Sequence, residues 1–265
     1  MSGVVTPRKN NSHTAPPSTR MDVHVQGGPA EPFLGARDLF STEYDLDESV
    51  TVRVREDPDE RTRVSHDAEG HHLTISRQAA TSAMARELAL HEFAHMHHHE
   101  RGHPSHTQST KEAIYLALAG HSVERHKLVH CYQIANHMKD IYADDLWIGL
   151  VSGEKLVAFL EAGLAAAVAD RPGGQPGWTQ LTPAADPEIT AVNAAFALAL
   201  VERHDLVDEG HQLYDLAHAA AHDAEGVELA EFKRYFADLS PETDESEFRK
   251  ALVDVTRAYA TADSG

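Results

Sequence analysis

A period of two in the hydrophobic positions of residues 49–56 predicts a short strand. Val50, Val52 and Val54 alternate with polar side chains, and residues two apart on a strand point to the same face of a sheet. The three valines would therefore cover a core while the polar side chains between them face solvent.

Two extended stretches follow, at residues 62–66 and 71–76, with the polar, glycine-containing segment 67–70 between them. A turn-forming segment between two such stretches is typical of a β-hairpin. We therefore expect a small antiparallel sheet ahead of residue 77. Segment 71–76 is the candidate for an open edge that holds a substrate, because a free sheet edge can pair with an extended peptide.

Beyond the predicted sheet, the hydrophobic positions recur at helical spacing. One helix carries His91 and His95 on one face and ends near Gly102, since glycine is common just after the last turn of a helix. Longer helices are predicted for residues 122–146 and 155–170 from the same periodicity.

Turn and capping residues mark where the other helices begin. Ser109 is followed three residues later by Glu112, a capping pattern that predicts the start of a short helix. Segment 171–186 is rich in glycine and proline and predicts an internal linker. Asp186 and Ser240 each precede a proline, so each predicts the N-cap of a helix.

Together these elements predict an α+β chain that is mostly helical, with a small antiparallel sheet before the helix of His91 and His95. We expect a metal-binding domain at residues 21–150 and a helical region at residues 151–265 packed on it. Residues 1–20 are rich in Ser, Thr, Pro and Asn, which predicts a disordered tail.

The charge of the chain narrows the classes of partner. Its 265 residues include 42 acidic and 23 basic ones, for a formal net charge of -19. This argues against nucleic acid and anionic membranes as partners, because binding phosphates needs a basic face. An acidic surface that is poor in lysine is typical of halophilic proteins, because concentrated salt screens the repulsion between like charges. Without an apolar secretion segment or a membrane span, we expect a cytoplasmic protein.

The sequence HEFAH, at residues 91–95, matches the HExxH pattern. Residues four apart share a helix face, so the imidazoles of His91 and His95 can bind one ion. Imidazole pairs favour Zn²⁺ over Ca²⁺ or Mg²⁺. Glu92 lies beside the first histidine, where it can act as the general base toward a zinc-bound water. The longer metzincin pattern is absent, because it requires a glycine at the position of His98.

A second predicted helix offers carboxylates to the same ion. Asp140 and Asp144 are four apart in NHMKDIYADD, so they share a face. With HExxH upstream, this pattern resembles the Glu-zincin metallopeptidases, in which a downstream Glu binds zinc and an Asp four residues later orients the first histidine. The resemblance implies Asp140 as the third ligand, one methylene shorter than Glu, and Asp144 as the carboxylate that holds a histidine N–H.

Other histidines are alternatives for the third ligand. His103 and His106 follow the motif directly; either could fold back to the metal, or both could belong to a loose surface tract. His137 lies one turn before Asp140. It could replace Asp140 as ligand, or act as a catalytic residue that stabilises the oxyanion of a tetrahedral intermediate.

Longer stretches carry a second resemblance. HEFAHM, GHPSHTQST and HCYQIANHMKDIYADD, within residues 21–145, are similar to an uncharacterised family of proteins from halophilic archaea, which implies a zincin-like metalloprotein. The function we expect is peptide-bond hydrolysis by a zinc-bound water, with a peptide or protein as substrate. Two alternatives stay open: a non-catalytic zinc-binding regulator or degenerate peptidase, and an interaction module in which HExxH occurs by chance.

Overall fold

The structure, a computed structural model, describes residues 21–169 and 186–262. Four strands form one sheet: β1 (Val23–Gln26), β2 (Val50–Arg55), β3 (Arg63–Asp67) and β4 (Gly70–Ser76). Their order across the sheet is β1-β2-β4-β3. The predicted tail, and the predicted linker up to residue 185, lie outside the described residues.

The strand and the hairpin predicted from the sequence are confirmed as β2 and as the β3–β4 pair, but the sheet is mixed. Only β3 and β4 are antiparallel, while β1 pairs with β2 and β2 with β4 in parallel. The prediction of an antiparallel sheet is therefore wrong. A helix, α1 (Glu31–Phe40), follows β1, and a chain that crosses over through a helix returns parallel to its first strand.

Segment 71–76 is not an edge of the sheet. It lies within β4, between β2 and β3, and all the residues of β4 are buried. The prediction that this segment offers a free edge to a substrate is wrong, because its backbone is already paired on both sides. The edges of the described sheet are β1 and β3.

Ten further α-helices follow β4 within the described residues. They are α2 (Arg77–Ala80), α3 (Ala85–Glu100), α4 (Pro104–Thr107), α5 (Thr110–Ala117), α6 (Arg125–Trp147), α7 (Glu154–Ala169), α8 (Pro187–Arg203), α9 (Gln212–Ala221), α10 (Leu229–Ala237) and α11 (Glu245–Thr261). The predicted helix with HEFAH is α3, and the two long predicted helices are α6 and α7. None of the described helices is long and apolar enough to cross a membrane.

Two of the three predicted caps are confirmed. The side chains of Ser109 and Asp186 accept backbone hydrogen bonds at the starts of α5 and α8. Ser240 is not a cap, because α11 begins only after Asp244. Asp244 and Glu247 form a reciprocal capping box, which satisfies two backbone N–H groups at once.

One hydrophobic core connects the sheet with several of the helices. Phe93 of α3, Ile134 of α6 and Phe248 of α11 are all fully buried in it. In the described chain, α6 packs against α3, α8 and α11. Because α6 is held from several sides, the residues on its inner face have defined positions relative to α3.

Candidate metal centre

Three side chains that can bind a metal converge between α3 and α6. The Nε2 atoms of His91 and His95 lie 3.0 Å apart, and Asp140 Oδ1 lies 3.7 Å from the first and 3.3 Å from the second. Ligands at about 2.0–2.1 Å from a tetrahedral ion are roughly 3.3–3.4 Å from one another. The three atoms are thus spaced as ligands of one zinc ion would be.

Apolar contacts hold the two helices at this distance. Leu90, Phe93 and Ala94 lie between or beside the two histidines of α3, and Met138 and Ile141 flank Asp140 on α6. All five are fully buried. Their burial fixes which face of each helix points inward, since residues three and four apart share a face.

Asp144 fixes the orientation of the first histidine. His91 Nδ1–H donates to Asp144 Oδ1 at 2.8 Å, and the indole Nε1–H of Trp147 donates to the same oxygen at 2.6 Å. An ionised carboxylate only accepts hydrogen bonds, so the ring proton of His91 lies on Nδ1. Its Nε2 is thereby left to face His95 and Asp140.

The charges around the cluster favour a bound cation. Burial lowers the pKa of His91, but the neighbouring Asp144 and Asp140 outweigh it and raise that pKa to about 10. Burial likewise opposes ionisation of Asp140, yet His137 and His95 hold its pKa far below the usual range. Without a metal, a proton on His91 supplies the positive charge, and a metal ion would displace that proton.

Glu92 lies next to the cluster on α3. Burial raises the pKa of Glu92, while the charges of His91 and His95 oppose that shift. A raised pKa brings a carboxyl group closer to neutral pH, where it can both accept and release a proton. Glu92 is half-buried, and the cavity described below is lined by other residues.

His137 contacts Asp140 but does not join the three ligand atoms. Its Nδ1 is 3.5 Å from Asp140 Oδ2, its Nε2–H donates to Asn193 Oδ1 at 2.8 Å, and its ring stacks on Phe196 at 4.4 Å. Asn193 and Phe196 belong to α8, so sequence spacing around the motif gave no sign of them. His137 is therefore held by α8, while its Nδ1 lies near Asp140 without a hydrogen bond.

His103 and His106 also lie outside the group of ligand atoms. His106 Nε2 is 2.7 Å from His95 Nδ1, which is the ring nitrogen opposite the one that faces Asp140. His103 Nδ1 contacts Ser105 Oγ at 2.7 Å. In this geometry, both histidines lie behind the three potential ligand atoms and outside their group.

A cavity of about 490 Å³ opens beside His91 and Asp140. Large apolar side chains of several helices cover most of its wall, among them Leu88, Trp147, Phe159, Leu160, Phe196 and Leu200. Ser76, the last residue of β4, and Gln78 of α2 add polar side chains to its lining. The three potential metal ligands therefore border a mainly apolar space. This space is large enough for one side chain of a bound molecule.

A family model matches residues 21–261, which include every element of the described structure. The chain belongs to DUF5781, a family of unknown function. The DUF5781 match covers the helices with the three ligand atoms as well as the C-terminal helices that complete the cavity. Comparisons with the curated proteins and with the solved structures gave no match.

Two other groups in the described part of this DUF5781 chain bring three potential ligand atoms within 4.8 Å of one another: Glu48, His71 and Glu100, and Asp67, Glu69 and His72. In the first group, Glu100 already accepts the backbone N–H groups of Asp47 and Glu48 and pairs with His71 at 2.8 Å. These contacts tie the end of α3 to the sheet without an ion. The acidic residues of the second group are exposed on the hairpin turn.

Proposed function

We propose that the protein is a zinc-dependent hydrolase that cleaves peptide bonds, with the ion held by His91, His95 and Asp140. The observation that carries the proposal is the meeting of three ligand atoms, 3.0–3.7 Å apart, from the HExxH helix and from the acidic helix α6. Zinc bound there would polarise a carbonyl group and lower the pKa of a coordinated water to about 7.

The same arrangement supports a zincin-like fold for the metal-binding part. An HExxH helix lies against a helix that supplies a carboxylate ligand, Asp140, and a second carboxylate, Asp144, that accepts a hydrogen bond from the first histidine. This order of roles along the chain is the one that the resemblance to Glu-zincins implies. A sheet precedes the HExxH helix, although it is mixed and not antiparallel.

Glu92 and His137 have different roles in this proposal. Glu92 takes a proton from the attacking water and delivers it to the leaving amine, as a general base and then a general acid. His137 Nε2–H donates to Asn193 Oδ1, so Nδ1 of a neutral His137 carries no proton and no N–H is left for an oxyanion. We therefore assign His137 to a supporting position beside Asp140, 3.5 Å away, and not to catalysis.

The cavity suits a substrate with a bulky apolar side chain near the cleaved bond. Trp147, Phe159 and Phe196 line it together with Asp140, and Phe159, on α7, is 58% exposed. Burying an aromatic or large aliphatic side chain there would contribute about 1.5–3 kcal/mol to binding.

Open coordination favours catalysis over a regulatory zinc site. A structural site has four protein ligands, whereas a catalytic site has three and an open position. Among the described residues, only His91, His95 and Asp140 form this group. His106 and His137 contact it from outside, and His103 is linked to it only through Ser105 and His106. This supports the peptidase over a non-catalytic zinc-binding regulator with a closed coordination sphere.

The test is cleavage of a complex peptide mixture, a proteome digest, by the zinc-loaded protein in concentrated salt, read by mass spectrometry. We expect E92Q to keep its zinc and to lose roughly 10²–10⁴-fold in rate, the usual contribution of a general base. E112Q, a matched change at an exposed glutamate of α5, should cleave like the wild type. A zinc-loaded wild type that cleaves nothing, or an E92Q variant that cleaves normally, would contradict the proposal.

A further inference from the structure

A chain of hydrogen bonds leads from His95 away from the metal site. His95 Nδ1 lies 2.7 Å from His106 Nε2, and His106 Nδ1 lies 2.7 Å from Ser105 Oγ. Ser105 Oγ lies 2.7 Å from His103 Nδ1. Four residues are thus linked by three short contacts, each of which needs one proton to be a hydrogen bond.

The far end of the chain fixes the direction of every bond in it. The backbone N–H of Ser105 donates to His103 Nδ1 at 3.3 Å, and a backbone N–H only donates. His103 Nδ1 therefore carries no proton and accepts from the Ser105 hydroxyl as well. The hydroxyl oxygen then accepts from His106 Nδ1–H, which leaves His106 Nε2 as the acceptor for His95 Nδ1–H.

We propose that His106, oriented by Ser105 and His103, is the positioning residue that holds His95 in the tautomer whose Nε2 is free to bind the ion. The inference rests on the zinc site of the proposed function. His91 is held in the same tautomer by Asp144. The two histidines of HEFAH therefore have partners of different charge, a carboxylate for one and a neutral imidazole for the other.

A neutral partner for His95 suits the charge of the site. Asp140 and Asp144 already place two carboxylates at the proposed zinc site, and Glu92 lies beside it. A further carboxylate on His95 would add negative charge to the site and weaken the ion as a Lewis acid, because hydrogen bonding to a carboxylate raises the basicity of a ligand. An imidazole acceptor orients His95 without that added charge.

The fold holds this chain of residues in place. Ser105 is fully buried, and it lies in the short helix α4, whose first residue is Pro104. The ring of His98, itself bonded to the carbonyl of Tyr142 at 2.9 Å, stacks against His106 at 5.2 Å. The segment after the HExxH helix thus folds back along α3. Its His106 contacts the ring nitrogen of His95 that is opposite the one facing Asp140.

The experiment measures zinc affinity by competition with a chelating dye. H106F keeps a ring of similar size but removes the acceptor, and we expect about 10–100-fold weaker binding, the usual cost of losing such a partner. H106Q retains an acceptor oxygen and should restore most of the affinity. S105A leaves both imidazoles in place and should cause a smaller loss. H99F, at an exposed histidine of α3, is the matched control and should bind like the wild type.

The Gln and Phe variants separate positioning from packing. If His106 only filled space, H106F would bind zinc better than H106Q, and this result would overturn the proposal, as would wild-type affinity in H106F.

A cobalt-substituted H106F protein should keep the absorption spectrum of the wild-type site; loss of one ligand in that spectrum would make His106 a ligand and overturn its role as a positioning residue. If the wild type binds no zinc, the proposed function fails together with this inference, whereas a zinc-binding protein insensitive to H106F overturns this inference alone.

Discussion

The Nε2 atoms of His91 and His95 point at each other across 3.0 Å. Both Nδ1 atoms have hydrogen-bond partners on the outer side of the rings, so the inner nitrogens are the ones available to a cation. Asp140 adds a carboxylate oxygen to the same space. Two nitrogen lone pairs and a carboxylate repel one another unless a proton or a metal ion lies between them.

The bond between Asp144 and His91 predicts a specific loss of zinc affinity. In D144A the ring of His91 loses its acceptor, and we expect zinc binding to weaken by about 10–100-fold. The adjacent carboxylate gives a matched control, because Asp145 pairs with Arg203 at 2.6 Å and not with the site. D145A should keep the zinc affinity of the wild type. Equal affinities in D144A and the wild type, measured by dye competition, would show that Asp144 does not orient the ligand.

A second prediction concerns the stability of the contact between α6 and α8. Arg203 makes two hydrogen bonds to Asp145, at 2.6 and 2.7 Å, and both side chains are largely buried. R203M removes the cation and leaves the carboxylate with His204 at 3.2 Å. We expect the free energy of unfolding to fall by roughly 2–3 kcal/mol, less than the loss for a fully buried pair. Urea unfolding measures it, and an unchanged midpoint would contradict the prediction.

The same pair predicts a pH dependence. Burial raises the pKa of Asp145, but the hydrogen bonds from His204 and Arg203 outweigh this and lower it overall. Because the folded pKa lies below the unfolded value of about 3.9, the stabilisation is complete above that value. It is lost as the pH falls through the folded pKa. The wild type should therefore lose more stability than R203M between pH 5 and pH 3; parallel losses in urea titrations would argue against this role of the pair.

The wall of the cavity predicts substrate preference. F159A removes an aromatic ring that is 58% exposed at the cavity, so the fold should tolerate the change. We expect kcat/KM for peptides with a bulky apolar side chain to fall by about 10-fold, equivalent to about 1.4 kcal/mol of lost apolar contact, with zinc affinity unchanged. Y115A, at an aromatic residue that is 80% exposed on α5, is the control. Identical side-chain preferences in F159A and the wild type would place the substrate elsewhere.

Much of the local structure could be predicted from the sequence. The alternation at Val50, Val52 and Val54 marks β2, and the helical spacing of His91 and His95 places both imidazoles on one face of α3. These features depend on residues close together in the chain. For the same reason, the Asp186 cap could be found from its side chain and the proline after it.

Features that depend on distant contacts could not be predicted in this way. β1 is only four residues long, and its parallel pairing with β2 depends on the crossover through α1, which packs against α3. The insertion of β4 between β2 and β3 follows from the whole sheet and not from the hairpin. The spacing along the chain places His106 near the motif. The ring nitrogen of His95 that His106 contacts depends on how α4 is placed in the fold. Asn193, which contacts His137, lies 56 residues further along the chain.

The most direct test of the account is the zinc content of the protein purified without an affinity tag or chelators and then loaded with zinc. Plasma mass spectrometry should find about one zinc per chain in the wild type and in E48A, which alters another group of potential ligands. H91A and D140A should both lose the ion. A wild type that holds no zinc, or a D140A variant that binds it as tightly as the wild type does, would contradict a site built from His91, His95 and Asp140.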